Sequence, residues 1–92
     1  MLTPTLKDSI SHRFGSVPDV ESVFTSTQGR VFYVWVVVND PDRHVRRKLY
    51  EIEREIHSDF DMLEFDFGII SRRGRPLADV ISDPSLDLAF SR

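Results

Sequence analysis

Cysteine is absent from the chain, which excludes disulfides, thiolate nucleophiles and thiolate metal sites together. That absence fits a cytoplasmic setting. Strings that carry common catalytic chemistry are missing as well. There is no activated serine, no HExxH pair of histidines and no glycine-rich phosphate loop after the first strand. No catalytic residue is assigned, no cofactor is implied, and the reading leans away from an enzyme. Long hydrophobic runs are lacking too: the longest strongly apolar stretch, Val31–Val38, is far shorter than the roughly 20 residues a membrane-crossing helix needs. No membrane span is expected. The first residues carry Lys7, Asp8 and Arg13 and have no apolar stretch of signal-peptide character. Nor is there a surplus of positive charge. Twelve Lys and Arg stand against fifteen Asp and Glu, a net charge of -3 that offers a nucleic acid no global attraction. The signs are unevenly distributed, however, so local patches retain meaning.

What remains is enough for one small core. Of 92 residues 40% are hydrophobic, with seven Phe, two Tyr and one Trp, which argues against a wholly disordered chain. Residues 1–92 read as a single domain, with a folded core over about 4–81 and a tail over 82–92 that is either packed or mobile.

Thr3 with Pro4, or Thr5 with Asp8, supplies helix-start chemistry, and Leu6, Ile10 and Phe14 recur at every fourth residue before Gly15. The spacing predicts a helix over 4–14. Residues 20–25 have β-forming content without clean alternation, and residues 26–29 supply a turn into Val31–Val38, so an antiparallel hairpin follows. This second strand is apolar on both faces. It must be central in its sheet and covered twice, or else one face is an interface. Asn39 or Asp40 can cap the next helix, with Pro41 in its first turn. Val45, Leu49, Ile52 and Ile56 then form one apolar stripe, which predicts a helix over 42–57. In the third strand Leu63, Phe65, Phe67 and Ile69 alternate with Glu64, Asp66, Gly68 and Ile70, giving one apolar face and one largely wet face. A right-handed crossover makes this strand parallel to Val31–Val38. Leu77, Ala78, Val80 and Ile81 suit one or two helical turns before Asp83 and Pro84, and Leu86, Leu88 and Phe90 alternate as an edge strand would. The fold class expected is α+β: a small two-layer α/β sandwich of order α-β-β-α-β with a C-terminal extension.

Several features bear on function. Arg72, Arg73 and Arg75 surround Gly74 at a strand end, where guanidinium groups suit phosphate or carboxylate, and Arg46, Arg47 and Lys48 make a second basic cluster. The bland alternative is a solvated loop whose arginines pair with Glu51 or Asp79. The long helix has its charges set against its own dipole: Arg43, Arg46, Arg47 and Lys48 come first, and Glu51, Glu53 and Glu55 follow. That order becomes favourable if a second copy runs antiparallel beside it, so Arg47, Glu51 and Glu55 are interface candidates. Tyr33 and Trp35 share one face of the apolar strand and are candidate anchors of a subunit contact. His57, Asp59 and Asp61 are the candidates for a divalent ion or a shared proton, while a helix end is ordinarily polar for capping and solvation alone. Glu64 and Asp66 share a strand face, as an acid–base pair would, or as edge-protecting charges do. His12 and His44 have no partner by spacing.

Over about residues 4–70 the element order resembles the compact αββαβ domain at the cytoplasmic end of cation-diffusion transporters and, less closely, the KH-type RNA-binding arrangement. The resemblance is one of topology. The metal-binding histidines of the first have no assigned places here, and the nucleotide-clamping GxxG loop of the second is absent, since Gly68 and Gly74 are too far apart. The expected function is a non-enzymatic protein–protein interaction or regulatory module acting as a homodimer. Binding of nucleic acid or a phosphorylated ligand by the arginine loop is the first alternative, and a metal-dependent enzyme the second.

Overall fold

The computed structural model describes residues 2–81 and 86–91, with side chains from residue 6 onward. Its elements are α1 (Leu2–Gly15), β1 (Val20–Gln28), β2 (Val31–Val38), α2 (Arg43–Asp59), β3 (Glu64–Ser71), α3 (Leu77–Val80) and β4 (Asp87–Ser91). The fold is α+β. The strands form one mixed sheet in the order β3-β2-β1-β4, with β1 antiparallel to both β2 and β4, and β2 parallel to β3. No helix among the described residues is long and apolar enough to cross a membrane.

The apolar patterns explain this arrangement. Leu6, Ile10 and Phe14 of α1 are buried, as are Val45, Leu49, Ile52 and Ile56 of α2, and both stripes join Val20, Val23, Val34, Val36 and Val38 in one core. Phe32, Phe65, Phe67 and Ile69 pack around it. Strand alternation sends the other half of β2, namely Val31, Tyr33, Trp35 and Val37, to the opposite face of the sheet. The expectation of a central strand is met, since β2 lies between β1 and β3.

Four local differences from the sequence reading have physical causes. The poor alternation of β1 is a β-bulge: the register with β2 shifts between Val20 and Ser22, so Val20 and Val23, three residues apart, are both buried in the core. β1 also runs on through Ser26, Thr27 and Gln28, which pair with Tyr33, Phe32 and Val31. The turn is confined to Gly29 and Arg30, with Gly29 at φ +61°, because two-residue loops of this kind match the strand twist and let pairing continue to the tip. The cap of α2 is Asp42, not Asn39 or Asp40: its carboxylate accepts the Val45 N–H at 2.9 Å. Asn39 is engaged elsewhere, its Oδ1 accepting the Gly74 N–H at 2.7 Å, and Pro41 is buried ahead of the helix. α1 starts at Leu2, which places Pro4 in the first turn, where its missing N–H has no intrahelical partner to lose.

Two glycines record close approaches. A Cβ on Gly15 would come within 2.8 Å of the Phe90 ring, so the end of α1 rests on β4. A Cβ on Gly68 would lie 2.8 Å from Cε3 and Cζ3 of Trp35, its register partner, so the six-membered ring of the indole packs over Gly68 on the face away from the α1 and α2 stripes. β4 pairs with β1 through Phe24 and Leu88 and closes that edge, while residues 82–85, including the Asp83–Pro84 break, and Arg92 lie outside the described residues.

Leu49 is fully buried at the middle of the α2 stripe. Replacing it with Ala removes transfer free energy and leaves a cavity, and denaturant melts should show a loss of roughly 2–4 kcal/mol. A change below about 0.5 kcal/mol, the level of a surface substitution, would contradict this packing.

Candidate functional site

The arginine loop is built by backbone first. The Arg72 N–H donates to the Val38 carbonyl and the Arg73 N–H to the Asn39 carbonyl, both at 2.7 Å, so the exit of β3 is tied to the exit of β2. Arg73 then sits at φ +51° and Gly74 at φ +79°, and the chain doubles back. Within this turn the three arginines separate in role. Arg72 donates from Nε and Nη2 to the two carboxylate oxygens of Glu21 at 2.8 and 3.1 Å, and from Nη1 to the Arg75 carbonyl at 2.7 Å. This fork-to-carboxylate pair holds Glu21 below the ordinary carboxylate range and holds Arg72 more firmly protonated. Arg73 and Arg75 are exposed. Because β2 and β3 are parallel, the loop and the start of α2 lie at one end of the sheet, where Arg47 and Lys48 are exposed and Arg46 is half-buried.

The outward face of α2 has a simpler order. Arg43, Arg47, Glu51 and Glu55 recur at every fourth residue, all exposed, and none takes part in an ion pair among the described residues. Tyr50 is 50% exposed one turn beyond Arg47. Glu53, on the flank of the helix, is half-buried with no ion-pair partner among the described residues, and burial pushes its carboxyl up.

The face of the sheet opposite the α1 and α2 stripes carries Phe24, Tyr33 and Trp35, all half-buried, beside Leu88 at 56% exposure. Glu64 and Asp66 stand on the same face, with Asp66 directly across from Tyr33 in the ladder.

The metal-site candidates do not converge. His57 packs edge-on against Phe65 and Phe67, at ring separations of 5.6 and 5.2 Å, while Asp59 is paired with Arg13 and Asp61 is exposed. Among the described residues no three His, Asp or Glu side chains are grouped to hold an ion. A shallow cleft of about 440 Å³ on α1 is lined by Asp8, Ser11, His12 and Ser16. The Ser16 hydroxyl there donates to the Arg13 carbonyl at 2.7 Å, and no hydrogen bond among the described residues links His12 to an acid or a hydroxyl. A second cleft, about 540 Å³, lies at the hairpin end against Leu6, Phe32, Met62 and Leu63, with Arg30 and Glu64 at its walls. Neither holds a hydrogen-bonded acid–base pair among the described residues.

Sequence reasoning had no access to the Glu21–Arg72 pair, since 51 residues separate the partners. Tyr50 was legible in principle, as a large ring on the polar side of the α2 wheel. The chain matches no protein-family model, no curated protein and no solved structure.

Two acids should respond oppositely to pH. The folded state holds Glu21 low, so its contribution is present above the unfolded carboxylate value, about 4.3, and fades as pH falls through the folded one. Glu53 is pushed up by burial, so stability is lost as pH rises from that unfolded value through the folded one. In melts at neutral pH, Glu21→Gln should destabilise and Glu53→Gln should stabilise, and both differences should shrink as pH falls below the ordinary carboxylate value. The reverse order at neutral pH would contradict these assignments.

Proposed function

We propose that the chain is a non-enzymatic protein–protein interaction or regulatory module that works as a homodimer, with α2 running antiparallel to α2 of a second copy. The observation that supports this reading is the exposed stripe Arg43, Arg47, Glu51, Glu55. Within one chain the order is unfavourable. Basic residues lie near the positive end of the helix, and the like-charged neighbours Arg43/Arg47 and Glu51/Glu55 each cost about 0.2–0.5 kcal/mol, which the single opposite-charge spacing Arg47/Glu51 only partly offsets. An antiparallel copy turned about a twofold axis near Leu49 sets Arg43 opposite Glu55 and Arg47 opposite Glu51. The same charges then become two pairs repeated by symmetry. Tyr50, beside the stripe, is the kind of half-exposed ring that anchors such contacts.

The second reading is binding of nucleic acid or a phosphorylated ligand by Arg73 and Arg75 with Arg46, Arg47 and Lys48. Its support is the exposure of Arg73 and Arg75 at the end of the sheet where α2 begins. It ranks behind the first because Arg72 is already committed to Glu21 and the net charge is -3.

Charge reversal tests the first reading directly. An Arg43→Glu/Arg47→Glu chain has a wholly acidic stripe, and a Glu51→Lys/Glu55→Lys chain a wholly basic one. In sedimentation velocity each alone should be monomeric, an equimolar mixture should form a 1:1 dimer, and the unaltered chain should be a dimer that high salt weakens. An unaltered chain that stays monomeric at high micromolar concentration would overturn the proposal.

A further inference from the structure

We infer that the outer edge of β3 takes an extended segment of a partner protein that carries basic residues at alternate positions. The inference is independent of the dimer, because α2's outward stripe and β3's outer edge are different surfaces. β3 ends the sheet, is paired with β2 along its whole length, and has no strand on its other side among the described residues. Its outer row of N–H and C=O groups is therefore a template for strand addition. Edges are usually blunted by shortness, proline, a bulge or charged side chains. Of these β3 has only two charges at one end: it spans eight residues, EFDFGIIS, with no proline, no lysine and no register shift against β2.

Its charges instead are acidic and sit at one end. Glu64 and Asp66 are exposed, neither is in an ion pair among the described residues, and both share the face of Tyr33 and Trp35. A strand laid along this edge places every second side chain on that face. There a guanidinium or ammonium group meets the two carboxylates, and its stem reaches the indole that lies across Gly68. The intervening side chains fall on the opposite face, beside Phe65, Phe67 and Ile69, which are half-buried and therefore have apolar surface to cover. The match is thus basic, apolar, basic, apolar. A nucleic acid strand lacks that alternation, and its phosphates would be repelled by Glu64 and Asp66.

Trp35 is the chain's single tryptophan and reports on this edge directly. Titration of the full chain with a capped Arg-Val-Arg-Val-Arg-Val peptide should change its fluorescence saturably, and hydrogen exchange should slow in β3. The same peptide with Ser in place of Arg should bind at least about tenfold more weakly, as should the Arg peptide to a Glu64→Gln/Asp66→Asn chain. The Gly68→Ala chain, whose added Cβ displaces the indole, should lose the fluorescence response. Equal binding by the Ser peptide, unchanged affinity of the double amide variant, protection outside β3, or a stronger response to a single-stranded oligonucleotide would each overturn the inference.

Discussion

Because β2 and β3 run parallel, the chain must travel the length of the sheet between them, and α2 is that return path. This constraint sets most of the molecule. It fixes which face of the sheet α2 covers, since Val45, Leu49, Ile52 and Ile56 must meet the alternate residues Val34, Val36 and Val38. It leaves the other half of β2 to the opposite face, which is why Tyr33 and Trp35 stand beside the acids of β3. It also brings the exits of β2 and β3 together at one end, where Asn39 can accept from both Arg73 and Gly74.

Electrostatics then divide into charges that hold the fold and charges that do not. Arg72 and Glu21 join the end of β3 to the bulge of β1 across the intervening strand, and Arg13 with Asp59 joins α1 to the end of α2. Both pairs join segments that are distant in sequence. The exposed stripe of α2 and the acids of β3 take part in no ion pair among the described residues. The basic-first order of the α2 stripe runs against the helix dipole.

The fold was legible where a period was long and uninterrupted. The α2 stripe, the β2 run and the alternation of Phe65, Phe67 and Ile69 each specify an element and the face it buries. The parallel β2/β3 pairing follows from the helix between them. Legibility failed where a single residue changes the register. Glu21 is the extra residue of the β1 bulge, and no local pattern distinguishes a bulge from a poor strand. It failed also where one side chain had competing uses, as with Asn39, which looks like a cap and serves the loop instead. The candidate site was legible as residue types only. The basic loop stood out in the sequence, yet the withdrawal of Arg72 into a pair with Glu21, and the indole lying over Gly68, depend on contacts between distant segments.

Antiparallel pairing of α2 across a twofold axis near Leu49 is tested most directly by a distance between two copies, and the absence of cysteine makes a single engineered label clean. A nitroxide on a Ser58→Cys chain, exposed near the end of α2, lies nine positions from that axis. Rise along two such helices and their separation place the two labels of a dimer about 30 Å apart. Pulsed dipolar spectroscopy should give one intermolecular distance near that value. No intermolecular coupling, or a distance beyond about 50 Å, longer than two paired helices of this length allow, would contradict the account.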